Sequence, residues 1–154
     1  MMSVAKTAAF YLVQLTWGLP QTLAGAAMHA LVPGEKGGRY RCAIVTKWKY
    51  SRGLSLGPFI FIPDYLVGAD HPKTIAYMKR YQEKLLVHEY GHCIQSLVFG
   101  PLYLPLFAFP SMIWAGVPAL ERMRNARAFS YYRFYTEKVA NWLGERVTGE
   151  ESLH

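Results

Sequence analysis

The residues with the clearest chemical use are His88-Glu89-Tyr90-Gly91-His92, which fit the pattern H-E-x-x-H. On an α-helix, residues four apart lie one turn above each other on the same face. Two imidazoles so placed can both reach one Zn²⁺ at about 2.0–2.1 Å. Glu89, beside the first of them, can hold a water next to such an ion and serve as general base without ligating it. The competing reading is a helix with two incidental histidines. From the chain's own His and Glu frequencies, a chance match has a probability of about 1%.

Two histidines do not complete a catalytic site, which takes three protein ligands and leaves a fourth position open. A third His six residues on would need Gly at 95 and His at 98, where the chain has Gln95 and Val98. Asp64 and Asp70 are the only aspartates and both lie upstream, so a downstream Asp ligand is excluded. The downstream carboxylates are Glu121, Glu137, Glu145, Glu150 and Glu151. Glu150 and Glu151 fall in a C-terminal tail expected to fray. Glu121, beside Arg122 and Arg124, suits a solvated face. Glu137 stands in the aromatic-rich run Phe134-Tyr135-Thr136-Glu137-Lys138, with Asn141 one helical turn further on.

With these residues the chain resembles the gluzincin-type zinc metallopeptidases, whose second helix carries Glu-x-x-x-Asp. The resemblance implies that Glu137 is the third ligand. It also implies that Asn141 stands where an Asp orients the first motif histidine, His88, by a hydrogen bond. An amide oxygen can accept that bond without supplying the charge. The second half of the chain is similar to small bacterial membrane-associated zincin-like proteins that carry His-Glu-Tyr-Gly-His, then Gly-Pro-Leu-Tyr (here from Gly100 to Tyr103), then Phe-Tyr-Thr-Glu-Lys. Leu56-Gly57-Pro58-Phe59 is a weaker part of the likeness. It implies a zincin-like core, Zn²⁺ as cofactor and a peptide or protein substrate. A Pro-rich apolar insertion between the two ligand helices departs from the larger gluzincins.

Other polar residues have two readings each. Tyr131, Tyr132 and Tyr135 precede Glu137; one of them can donate to an oxyanion, as a Tyr does in related zincins, or all can pack in a core or at a membrane interface. His71 is either a substrate-facing electrophile or an ordinary helix N-terminal residue. Cys93 is either a metal-binding thiolate or a small buried side chain. His29 reads as a satisfied core or interfacial residue.

The elements that must position these groups point to a single α+β domain over 1–154. Residues 33–38 read as a turn. Residues 40–48 and 54–62 are β-branched and aromatic, and read as a hairpin closed by Tyr50-Ser51-Arg52-Gly53. Asp70 before Pro72 reads as the N-cap of a helix that runs to Phe99, where Gly100-Pro101 stops it. A last helix is expected over 128–146.

Composition adds a location. The 154 residues are 52% apolar and only 18% charged, against roughly 25% charged in typical soluble domains. That excludes a disordered tail or a charged coiled coil. Residues 7–33 and 93–120 contain no Asp, Glu, Lys or Arg, and a bilayer crossing needs about 20 apolar residues. The first stretch reads as an uncleaved apolar anchor helix, since Pro20 and a single Lys suit a signal peptide poorly. The second carries Pro101, Pro105, Pro110 and Pro118. Four prolines cannot share one straight helix, so 99–120 reads as a broken, membrane-associated insertion. Basic residues flank both stretches, from Lys36 to Arg52, at Lys79, Arg80 and Lys84, and at Arg122, Arg124 and Arg127. The positive-inside rule places all these flanks on the cytoplasmic side of a bacterial cytoplasmic membrane. Net charge is +7, and its interleaving with long apolar runs favours lipid headgroups over nucleic acid as the partner. The sequence therefore points to a membrane-associated zinc metallopeptidase. The alternative is a non-catalytic membrane or partner-binding protein with a structural zinc.

Overall fold

A computed structural model describes residues 3–65 and 71–154, and they form a mixed α+β structure with six α-helices and a four-stranded sheet. Asp70, expected as a helix cap, lies outside the described residues. The helix it was to open is present: α3 (Pro72–Phe99) has Pro72 in its first turn, and the His71 side chain caps it by accepting from the Lys73 N–H. It ends where expected, because Gly100 adopts φ +53.

The strands depart from the expected hairpin. They are β1 (Glu35–Tyr40), β2 (Ala43–Trp48), β3 (Leu54–Leu56) and β4 (Phe59–Pro63), in the spatial order β1-β2-β4-β3. The segment read as a turn over 33–38 opens β1, which pairs antiparallel with β2. The second β-rich run is not one strand: Gly57-Pro58 folds it into its own hairpin, β3 on β4. Strand β4 then lies parallel to β2, with Ile44 opposite Phe59 and Trp48 opposite Pro63. A parallel pair is normally buried on both faces. Here Val45, Ile60 and Ile62 pack in the core with Leu85, Tyr90 and Cys93 of α3. On the other face Thr46 bonds the His29 ring at 2.7 Å, the satisfied state expected of that histidine.

The first apolar stretch is two helices, α1 (Val4–Thr16) and α2 (Leu19–Leu31), rather than one anchor. Pro20 cannot donate to a continuing helix and sits instead in the first turn of α2. The buried side chains of this pair include Gln14, Gln21 and Thr22. Gln14 donates to the Cys93 carbonyl at 3.1 Å, and Gln21 to Ser96 Oγ at 3.0 Å and the Gly100 carbonyl at 2.9 Å. The polar interruptions of the stretch thus pin it to α3.

The Pro-rich insertion is broken as expected. A 3₁₀ turn (Gly100–Leu102) and a π-helical turn (Leu104–Ala108) lead into α4 (Phe109–Gly116) and α5 (Pro118–Ala126), and the chain bends by 73° between Leu104–Gly116 and Pro118–Ala126. Among the described residues no single helix is long and apolar enough to cross a membrane. The last helix, α6 (Tyr135–Thr148), starts seven residues later than expected, after a 3₁₀ turn at Tyr131–Arg133. The C-terminal tail is not frayed. Ser152 and Leu153 are buried, Glu150 pairs with Arg41 at 2.6 Å and Glu151 with Lys84 at 2.9 Å.

Candidate metal centre

Helices α3 and α6 bring the site together, and glycine lets them do so. A Cβ on Gly91 would lie 1.9 Å from the Ala140 carbonyl oxygen, and one on Gly144 would lie 2.3 Å from that of Val87. Backbone therefore meets backbone at this crossing. His88 and His92 on α3 face Glu137 and Asn141 on α6 across it.

Glu137 Oε2 lies 3.1 Å from His88 Nε2 and 3.6 Å from His92 Nε2. A tetrahedral ion with bonds of about 2.0–2.1 Å holds its ligand atoms about 3.3–3.4 Å apart. The donor atoms of the three residues all lie within 4.8 Å of one another and the residues are buried, so the group could hold a metal ion. Two imidazoles and a carboxylate are a donor set suited to Zn²⁺.

Each candidate ligand is held from behind. His88 Nδ1 lies 2.6 Å from Asn141 Oδ1, and His92 Nδ1 lies 2.7 Å from Gln95 Oε1. Gln95 in turn donates to the Thr136 carbonyl at 2.9 Å. The other Glu137 oxygen accepts from Ser111 at 2.5 Å and Thr136 at 2.8 Å. Such partners fix ring tautomer and orientation. The structure also gives a reason for the amide at 141. Asn141 Oδ1 accepts from Ser152 at 2.6 Å, while its Nδ2 donates to the Leu153 carbonyl. An Asp would turn an oxygen on that carbonyl and release the tail.

Glu89 is buried beside the motif histidines, and Ser55 Oγ donates to its Oε2 at 2.6 Å. Burial pushes its carboxyl above the ordinary value, against the pull of His88, His92 and Ser55. A raised carboxyl suits a general base at neutral pH. These groups line a cavity of about 250 Å³, small beside the roughly 300–1,000 Å³ of most ligand sites.

Tyr131 and Tyr132 line this cavity, with the Tyr132 ring edge-on to His88 at 5.3 Å. Tyr135 and His71 do not reach it. Tyr135 is exposed and donates to the Leu106 carbonyl at 2.6 Å, because it stands at the first position of α6, two residues before Glu137 and on another face of the helix. His71 is spent on capping α3. Cys93 is buried and its thiol is pushed up by burial, which suits packing rather than metal binding. Sequence reasoning missed Ser55, Ser111, Gln95, Thr136 and Tyr103. Gln95 was findable, since it lies one turn from His92 on the same face. Ser55 and Ser111 arrive from separate elements, and no local pattern marks them; Tyr103 stands in the Gly-Pro-Leu-Tyr run, which gave it no role at the site. No protein-family model, curated protein or solved structure matches this chain.

Without metal, burial works against charge on His92, but the hydrogen bond and charge of Glu137 push it up to about 9. Burial likewise opposes charge on Glu137, yet hydrogen bonds from His88 and His92 hold it well below the usual carboxylate range. A raised His value means that its proton stabilises the fold fully below the ordinary 6.5 and ceases to as pH rises through about 9. A metal must displace that proton. Apparent metal affinity is therefore expected to climb about tenfold per pH unit between about pH 7 and about 9, then flatten. Competition with a chromophoric chelator measures this, and a flat profile over that range would show that His92 carries no proton in the metal-free protein.

Proposed function

We propose that this protein is a zinc metallopeptidase with a zincin-like core, acting on peptides at a membrane surface. The observation that carries the reading is the convergence of His88, His92 and Glu137 on one point that opens into a cavity walled by Glu89. A structural zinc site is closed by a fourth protein ligand. Among the described residues no fourth His, Cys, Asp or Glu joins this group.

His88, His92 and Glu137 would hold Zn²⁺, which would supply Lewis acidity and lower the pKa of water from about 15.7 towards about 7. Glu89 takes a proton from the attacking water and delivers it to the leaving amine. Ser55 keeps one Glu89 oxygen fixed, and Gly53 leaves room for the other: a Cβ there would lie 2.0 Å from Oε1. A substrate peptide runs along the outer edge of β3, which pairs with no second strand among the described residues and where Leu54 lines the cavity, adding main-chain hydrogen bonds. Strand β2 offers no such edge, since it is paired on both sides. Tyr103 already donates to the Ser55 carbonyl at 3.0 Å, and the alternation of an antiparallel edge turns the Leu54 main chain towards β4, so the substrate hydrogen-bonds to Gly53, just before β3.

The membrane part of the proposal is supported by an inverted polarity in α1 and α2. Gln14 and Gln21 are fully buried, while Leu12, Leu15, Trp17 and Leu23 are more than half exposed. Leu102, Phe109, Met112 and Ile113 of the insertion are exposed as well, and Trp17 lies against Gly100 where the two regions meet. Polar side chains turned inward with leucines outward are arranged for lipid. The basic flanks then meet anionic headgroups. The test is a quenched-fluorescent peptide library incubated with purified protein on phosphatidylglycerol-containing vesicles. Cleavage that a chelator abolishes and zinc restores, by protein that sediments with the vesicles, is expected. Bound zinc with no peptide cut would favour the structural-metal alternative, and protein left in the supernatant would remove the membrane.

A further inference from the structure

Arg124 is a buried cation in the cavity wall, and among the described residues no carboxylate pairs with it. It lies near the end of α5, is 8% exposed, and lines the same cavity as Glu89 and Glu137. Its guanidinium lies 4.7 Å from the centre of the Trp114 ring and 5.5 Å from that of Tyr131, and Nη1 donates to the Trp114 carbonyl. The two carboxylates in the cavity are engaged elsewhere, Glu137 with the histidines and Glu89 with Ser55.

A guanidinium has five N–H donors in a planar fork, and burying its charge without a counter-ion is costly. One carbonyl and two ring faces offset part of that cost and fix the plane of the fork. The residue that carries the other donors lines the cavity. Capping the C-terminal carbonyls of α4 does not by itself call for a buried arginine. Arg52, from the loop before β3, caps the next carbonyl, Ala115, while staying exposed. A preset, desolvated fork is matched by a carboxylate, which takes two parallel hydrogen bonds from it. The fork shares its cavity with His88, Glu89 and Glu137. Tyr131 beneath it is 5.2 Å from Tyr132, whose ring is 5.3 Å from that of His88.

We propose that Arg124 receives a carboxylate of the substrate, so that the cavity selects peptides with a free C-terminal or acidic side-chain carboxylate close to the cleaved bond. The substrate class rests on the peptidase reading; the receptor itself does not require turnover. The experiment uses the full-length, zinc-loaded Glu89→Gln protein, titrated calorimetrically with three blocked peptides: acetyl-Ala-Phe-Ala as the free acid, the same peptide as its C-terminal amide, and acetyl-Ala-Phe-Glu amide. A carboxylate-bearing peptide is expected to bind about 10–100-fold more tightly than the neutral amide. Preference for the free acid identifies a C-terminal carboxylate, and preference for the Glu-amide identifies a side chain. Arg124→Gln should reduce the ratio to about one. Arg124→Lys, which keeps the charge but not the fork, should retain only part of it. Equal binding of acid and amide, no binding of any of the three, or a preference that survives Arg124→Gln would overturn the proposal. Should Arg124→Gln not fold, the acid-to-amide ratio in the parent and in Arg124→Lys decides. A protein that prefers the carboxylate yet, with Glu89 intact, cuts none of the peptides keeps the receptor and loses the peptidase reading.

Discussion

Replacing Glu89 by Gln is expected to leave the metal bound and to lower peptide turnover by about 10²–10⁴-fold, the usual contribution of a positioned proton acceptor. The amide has the shape of the carboxylate, and its oxygen can still accept from Ser55, so the local packing survives. Glu89 is not one of the three converging donors, so metal content should match the parent. His88→Ala, in contrast, removes a donor and should lose metal and turnover together. Reading kcat beside bound zinc separates the two. Glu89→Gln turning over at the parental rate would mean that another group takes the proton.

The second large effect is expected at Gly91, a position that the H-E-x-x-H pattern leaves free. In Gly91→Ala the new methyl would meet the oxygen, carbon and Cα of Ala140 at 1.9, 2.6 and 3.0 Å. All three atoms are backbone, so no rotamer relieves the clash and α3 must part from α6. Overpacking of this kind costs about 1–3 kcal/mol and sometimes more. The gain of about 1 kcal/mol in helix propensity offsets only part of that. Separation of the helices also draws Glu137 away from His88 and His92, and metal distances tolerate only about ±0.2 Å. Gly91→Ala should therefore lower Tm by up to about 8 °C and release the metal in the same variant. A full metal complement at the parental Tm would show that the helices do not meet as closely as described.

The motif and its partners were legible because helical spacing is local information. Residues 88 and 92, and again 137 and 141, are four apart, so each pair shares a face wherever the helix goes. The start of α3 at Pro72, its end at Gly100 and the breaks in the insertion were legible for a related reason: proline and glycine act on the backbone at their own positions. What was missed depends on distant neighbours. The parallel pairing of β2 with β4 follows from packing against α3 and α2, not from either strand's composition. The inward turn of Gln14 and Gln21 needs Cys93, Ser96 and Gly100, some 75 or more residues away. The tail looked free because its carboxylates have partners, Arg41 and Lys84, far back in the chain. Ser55 and Ser111, which donate to Glu89 and Glu137, come from the edge strand and the apolar insertion, where nothing local distinguishes them from other serines.

The most direct measurement is the metal content of the purified protein, read with X-ray absorption at the zinc edge in the parent and in Glu137→Ala. The expected result is one zinc per chain, bound by two imidazole nitrogens and carboxylate oxygen at about 2.0–2.2 Å with one further light atom, and loss of most of the zinc in Glu137→Ala. No bound metal, a sulfur neighbour at about 2.3 Å, or undiminished zinc in Glu137→Ala would contradict a site built from His88, His92 and Glu137.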